Sequence, residues 1–289
     1  MLTPDAGPRD GTSSLHVRAC RLVRKMQGGS QADLVLTDRG YYVVKWVQNP
    51  QHRRVLVNEM ISAELLRRLR IAAPEWAVVH ADDEFLDANP EVRINLRHGH
   101  ASIKAGCHFG SRVPVDPIEK AIYDFLPPRL HDRVTNLNDF LRVLIFDLWV
   151  DNSDGRQAIF FATPKGHFAA QMIDNGHTLG FDGTDWRMKD QPVGKCYPLS
   201  IERFLTRKAG DEFESVITDI LAVVEKDLSN ILHLVRAEWL ADDEVALGRV
   251  FVDLARRSRR LPDLVADALK YLRTQNVPRT HLIVSDWEG

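Results

Sequence analysis

Two acidic clusters stand where apolar runs break into polar residues, and their spacing suits chemistry on a phosphate. The first is Asn152-Ser153-Asp154-Gly155-Arg156-Gln157. The second, Ile173-Asp174-Asn175-Gly176, places its carboxylate twenty positions after Asp154. Leu144-Ile145-Phe146 and Trp149-Val150 lead into the first cluster, and Ala158-Ile159-Phe160-Phe161 leaves it. Phe168-Ala169-Ala170 runs towards the second. A carboxylate at a helix end, two short strands and a second carboxylate before a glycine form a layout for phosphoryl transfer. Asp154 would orient an attacking hydroxyl, and Asp174 would hold Mg²⁺ against the phosphates of ATP.

Such a site needs an anion-binding half, and the sequence offers one upstream. Gly28-Gly29-Ser30-Gln31 form a turn between the strand-like runs Leu15 to Val23 and Asp33 to Thr37. Glycine lets a backbone approach an anion closely and turn its N–H groups towards it. After the hairpin turn Asp38-Arg39-Gly40 comes Tyr41-Tyr42-Val43-Val44-Lys45-Trp46-Val47, in which Lys45 is the single cation. Taken alone, Lys45 reads as an outward-pointing side chain on a half-exposed strand, since buried Lys is rare.

The following helix, roughly Arg53 to Leu69, changes that reading. At about 100° per residue, Glu59 shares a face with Leu56, Ala63 and Leu66, and a carboxylate facing the core needs a cation or good donors. Glu64 has Arg67 and Arg68 one turn on as surface partners. Glu59 is therefore expected to pair with Lys45 and keep its ammonium extended towards the phosphates. Lys45→Met is expected to abolish phosphoryl transfer and leave the fold largely intact.

The elements that must position these groups fall into two unlike halves. The first hundred or so residues read as strands around one good helix, with another strand at Trp76-Ala77-Val78-Val79. The stretch His98 to Pro117 is rich in Gly, His and Pro and resembles a linker. Helical patterns follow at Ile118 to Phe125, Leu137 to Val150, Ile201 to Leu205, Glu212 to Val235, Ala241 to Arg256 and Leu261 to Gln275. Strands at Ala158 to Thr163 and Phe168 to Ile173 interrupt them. This predicts an α+β protein of two lobes: a flexible terminus (1–14), a β-rich lobe with the glycine turn (15–104), a hinge and linker (105–116) and a mostly helical lobe (117–289).

The 289 residues, 44% hydrophobic and 27% charged with a formal charge of −2, exclude a general pull towards nucleic acid or anionic membrane. Three scattered cysteines cannot build a disulfide framework or a cysteine metal site and fit reduced thiols in a cytoplasmic protein. Met1 to Ser14 lacks the apolar core of a signal peptide. No segment approaches the roughly 20 apolar residues that span a bilayer. His98 and His100 lack further ligands at metal spacing. His177 either orients the Asp-Asn-Gly turn or packs within it.

Taken in order, Gly28-Gly29-Ser30, Val43-Val44-Lys45, Asn58-Glu59, His108-Phe109-Gly110-Ser111-Arg112, Asn152-Ser153-Asp154 and Ile173-Asp174-Asn175-Gly176-His177 resemble the HipA-like kinase family. The resemblance runs from about Gly28 to about Phe181, with a helical tail behind it. It implies a bilobal kinase-like fold using ATP and Mg²⁺. Lys45 would contact the phosphates and Glu59 would steady it, with Gly28, Gly29, Ser30 and Gln31 covering them. Gly106, Cys107 and Phe109 would lie near the adenine in an inter-lobe hinge. Asp154 would be the catalytic aspartate and Asp174 the principal metal ligand.

The sequence departs from the family at two places. Ile159 stands where the family carries a metal-binding Asn five residues after the aspartate, and Arg156 replaces its His. Gln157 is the expected second ligand, through its amide oxygen, from a loop one residue shorter. Three functions stay open: a serine/threonine kinase, a nucleotide-binding pseudokinase that regulates a protein partner, and an enzyme that phosphorylates a small molecule or transfers a nucleotidyl group. The acceptor is an unknown protein or small molecule. Some members of the family work beside a DNA-binding partner, yet this chain shows no helix-turn-helix, so no direct nucleic-acid contact is expected.

Overall fold

Alternating burial of Val17 and Ala19, and of Tyr42, Val44 and Trp46, closes the first half of the chain into a barrel. In this computed structural model, which describes residues 15–189 and 211–274, the barrel strands are β1 (Leu15–Lys25), β2 (Asp33–Thr37), β3 (Gly40–Lys45), β4 (Trp76–Ala81) and, after a β5–β6 hairpin (Arg93–Leu96 and Gly99–Ser102), β7 (Gly106–Arg112). Their order is β1-β2-β3-β7-β4, with β4 returning to lie parallel to β1. Between β3 and β4 runs α1 (Arg54–Arg68), and α2 (Asp83–Ala88) follows β4, capped by Asp82 accepting from Phe85 N.

Every residue from Val55 to Leu66 is buried, because α1 lies between the barrel and the second half of the chain. Its start is fixed by Arg54, whose Nε and Nη2 donate to the two carboxylate oxygens of Asp243, each at 2.7 Å. The second half carries a small sheet of β8 (Ile122–Tyr123), β9 (Gln157–Thr163) and β10 (His167–Ile173), in the order β10-β9-β8. Around it stand α3 (Asp139–Trp149), α4 (Asp211–Lys226), α5 (Leu228–Leu232), α6 (Ala237–Leu240), α7 (Glu244–Ser258) and α8 (Leu261–Thr274). The barrel interior forms one apolar cluster. A larger one joins α1 and the outward faces of Val78 and Phe109 to these helices. Mixed α and β content is as expected. The terminus 1–14, the helix at Ile201 to Leu205 and the end at Gln275 lie outside the described residues.

Three expectations are corrected. The helix expected at Ile118 to Phe125 is instead an irregular stretch ending in β8, where Ile122 pairs with Phe161 and Tyr123 with Phe160. Ile118, Tyr123 and Phe125 are exposed, so no buried stripe exists to hold a helix there. The helix expected from Glu212 to Val235 breaks at Asp227, which pairs with Arg68 of α1 at 3.2 Å.

The linker and hinge expected over 105–116 contains β7, hydrogen-bonded to β3 on one edge and β4 on the other. A segment held on both edges is barrel wall, not a hinge. Its glycine misleads because Gly110 marks close packing: a Cβ there would stand 2.5 Å from Val79 Cγ2.

Candidate active site

Lys45 ends β3 with its side chain on the outside of the barrel, because Val44 and Trp46 on either side of it point in. That outer face is covered by α1. Lys45 is only 8% exposed, and its Nζ donates to Glu59 Oε1 at 2.5 Å and to Asp174 Oδ1 at 2.7 Å. Burial pushes the Lys45 ammonium down, but Glu59 and Asp174 outweigh it and hold the pKa well above its ordinary value. Burial likewise pushes Asp174 up, and the adjacent Lys45 overrides this and leaves the carboxyl below the usual range.

Asp174 follows the last residue of β10 and adopts φ 58°, a left-handed conformation unusual outside glycine. The strain is held by contacts on both sides. Asn58 Nδ2 donates to the Gly176 carbonyl at 2.7 Å, and Asn58 Oδ1 accepts from Trp186 Nε1 at 2.8 Å. Ser62 and Thr178 hydroxyls meet at 2.8 Å. One face of α1, carrying Asn58, Glu59 and Ser62, thus docks the whole 174–178 turn. Gly176 is required by space: a Cβ there would lie 2.8 Å from Val55 Cγ1 and 3.6 Å from both Lys45 Nζ and Glu59 Oε1.

The other acidic cluster is braced from α3. Arg156, 5% exposed, donates from Nε to Asp147 Oδ2 at 2.9 Å and makes a second, very short bond to Asp147 Oδ1. Its Nη1 donates to Asn175 Oδ1 at 2.8 Å and to the Ile173 carbonyl at 3.2 Å. Asn152 Nδ2 also reaches Asp147 Oδ1, at 3.1 Å. Ser153 Oγ donates to the Phe181 carbonyl at 2.8 Å. The two acidic loops are therefore one hydrogen-bonded unit. Sequence reading missed Asp147 as its centre, although a carboxylate within the apolar run Val143 to Trp149 is the same signal that singled out Glu59.

Asp154 is exposed, with Oδ1 accepting from Gly155 N at 2.7 Å. It opens onto a cleft of about 340 Å³ whose lining includes Gln51, Ser153, His177, Asp182 and Lys189. Gln157 begins β9 opposite Ile173, and its Nε2 donates to Asp174 Oδ2 at 3.0 Å. Both oxygens of Asp174 are thus engaged, one by Lys45 and one by Gln157. Ile159 lies two residues further along β9, opposite Gln171.

The remaining expected residues divide. Gly28, Gly29 and Ser30 form the turn, with Gly28 at φ 123° and Gln31 N donating to the Gly28 carbonyl at 3.2 Å. The Gln31 amide is tied to the hairpin: its Nε2 donates to the Asn95 carbonyl at 2.9 Å and its Oε1 accepts from Asn95 N at 2.7 Å. Phe109 sits opposite Lys45 in the β3–β7 ladder but is buried edge-on to Trp239. Gly106 and Cys107 lie opposite Ala81 and His80, and the Cys107 carbonyl accepts from Trp239 Nε1 at 2.9 Å. The structure brings together Lys45, Glu59, Asp174 and Gln157 directly, and braces the Asp154 loop to them through Arg156 and Asp147. It joins neither Gly106 nor Cys107 to that group.

Gln157 meets Asp174 Oδ2 through its Nε2 donor, so with its amide turned to present Oε1 the pair fits a divalent cation completed by phosphate oxygens and water, the usual mode for Mg²⁺. Among the described residues no cluster of three or more His, Cys, Asp or Glu could hold a metal by itself. No described helix is long and apolar enough to cross a membrane.

No curated relative matches this chain. Among solved structures it is similar to a Golgi casein kinase, at 14% identity and a TM-score of 0.46 over 92% of this chain and 74% of that one. It is also similar to the Helicobacter pylori proinflammatory kinase CtkA, at 12% identity and 0.45 over 90% and 99%. A Shewanella oneidensis MR-1 HipA, HipB and operator DNA complex gives 12% identity and 0.44 over 88% and 68%. The HipA-like kinase family model matches residues 21–267, which takes in the glycine turn, Lys45, Glu59 and both acidic loops. The chain belongs to the HipA-like kinase family.

Proposed function

We propose that this protein is an ATP- and Mg²⁺-dependent phosphotransferase with two lobes, acting on a serine or threonine hydroxyl. The observation that carries the proposal is Lys45, which meets Glu59 and Asp174 at once while Gln157 engages the second Asp174 oxygen. In the reaction, Lys45 holds phosphate oxygens of ATP and Glu59 keeps its ammonium in place. Asp154 accepts the acceptor's hydroxyl proton, the hydroxyl oxygen bonds to the γ-phosphorus, and the bond to the β–γ bridging oxygen breaks to release ADP. Asp174 and Gln157 would hold Mg²⁺, which would supply charge neutralisation at the phosphates. Most of the barrier lowering is positioning and charge neutralisation.

A second reading, a pseudokinase that binds nucleotide and regulates a partner, is favoured by one observation. The side chain beside Asp174 is a neutral glutamine, and Ile159 stands opposite Gln171. The full-length protein incubated in parallel with γ- and α-labelled ATP, alone and with a mixed polypeptide acceptor, separates the readings. Label from γ alone that disappears in Asp154→Ala supports phosphoryl transfer. Label from α means nucleotidyl transfer, and nucleotide binding without label means a pseudokinase.

A further inference from the structure

Gln51 lies between the two parts of the site that the proposed function uses. It sits in the connection from β3 to α1, half-buried. A Cβ on Gly29 would stand 2.7 Å from Gln51 Nε2 and 3.3 Å from its Cδ. The Gln51 amide therefore lies across the bare backbone of the glycine turn, in space that another residue at position 29 would fill. Gln51 also lines the cleft that holds Asp154, and is the only lining residue there from before Asp151 among the described residues.

The neighbouring polar side chains make local contacts, although Asn49 Nδ2 is buried without a partner. Asn49 Oδ1 accepts from Gln51 N at 2.9 Å, His52 Nδ1 accepts from Arg54 N at 3.2 Å, and Arg54 binds Asp243, Asp185 and the Thr184 carbonyl. No hydrogen bond holds the Gln51 carboxamide among the described residues. A half-buried amide with two free donors, placed between a turn that would cover phosphates and a carboxylate that would orient the acceptor, faces the position of the group being transferred.

We infer that Gln51 binds the terminal phosphate of the nucleotide, with Nε2 donating to its oxygens from the side of the glycine turn. This rests on the phosphotransfer reading and adds a residue to it. The contact distinguishes nucleotides, since ADP lacks the group that Gln51 holds.

Calorimetric titration of the full chain with Mg·ATP and with Mg·ADP tests it. Gln51→Ala should weaken Mg·ATP by about tenfold or more, the ordinary size of one hydrogen bond to a charged group, and leave Mg·ADP within about twofold. Gly29→Ala, whose methyl displaces the amide, should weaken Mg·ATP in the same selective way, and the double variant should lose no more than Gln51→Ala alone. Equal losses for both nucleotides, or no loss for either, overturn the assignment of Gln51 while the wild type's binding of both leaves the phosphotransfer reading standing. A wild type that binds neither nucleotide overturns both.

Discussion

Replacing Lys45 by methionine leaves two carboxylates around one missing ammonium. Methionine occupies much of the lysine volume, so the change is electrostatic more than a cavity. The Lys45 side chain is 10% exposed and that of Glu59 is 4% exposed, while Asp174, at 35%, keeps water and Gln157. The penalty therefore falls mainly on Glu59. Removing one partner of a buried ion pair costs about 3–5 kcal/mol. At about 2–4 °C per kcal/mol for a protein of this size, the midpoint should fall by roughly 6–20 °C. The sequence alone led to the expectation of an intact fold in this variant; burial of the pair revises it to a loss of both catalysis and stability.

The assay is thermal and urea unfolding at pH 7 and pH 5, followed by tryptophan fluorescence. In the wild type the Asp174 carboxyl is held below its ordinary value of about 4, so its contribution is complete above that pH and lost as pH falls through the lower folded value. In Lys45→Met the carboxylates face each other without the ammonium between them, and acid eases that repulsion by neutralising carboxylate charge. That relief is present in acid and lost as pH rises. The gap between variant and wild type should therefore be smaller at pH 5 than at pH 7, and Glu59→Gln added to Lys45→Met should recover about 1 kcal/mol or more. A variant within about 1 kcal/mol of wild type at pH 7, with a gap that does not change with pH, would refute the reasoning.

Asp174→Ala should weaken binding of Mg·ATP far more than of metal-free ATP; equal losses in the two titrations would remove Asp174 from the metal. Gln157→Ala should lower the phosphorylation rate at saturating ATP by about tenfold, or roughly 1.4 kcal/mol, and an unchanged rate in the folded variant would exclude it as a ligand. Asp147→Ala leaves the buried Arg156 guanidinium without its carboxylate and should destabilise by about 3–5 kcal/mol, which thermal unfolding would detect. Burial pushes the His108 imidazole down to about 4, so the unfolded chain binds a proton that the folded one refuses. Stability should fall by about 3 kcal/mol as pH drops from about 6.5 to 4, and His108→Gln should flatten that slope.

Much of the site is legible in the sequence because its charges sit in apolar surroundings. Lys45 on an alternating strand and Glu59 on the core face of a helix each announce a burial that needs a partner, and they find each other. Asp147 carries the same signal but has no acidic or basic motif beside it, so its partner Arg156 reads as a family departure and not as a brace. The contacts of Asn58 and Ser62 with the 174–178 turn are tertiary, and uncharged polar residues on a helix give no periodicity that would reveal them. In β7, glycine and histidine suggest a linker, whereas Gly110 and His108 are there because the barrel wall leaves no room for a Cβ at one and buries the other.

The position of β9 shows why Ile159 stands away from Asp174. The strand begins at Gln157, three residues after Asp154, so position 159 is already inside the sheet and bound in register to Gln171. Position 159 is thus two residues further from Asp174 along the strand than Gln157. The first residue of the strand reaches that carboxylate, because it stands opposite Ile173, immediately before the turn that displays Asp174. Arg156, one position earlier, fixes this register by binding Asp147 on α3 and Asn175 on the opposite side of Asp174. Arg156 and Gln157 therefore act on one turn: the arginine ties it to α3 through Asp147, and the glutamine engages Asp174 itself.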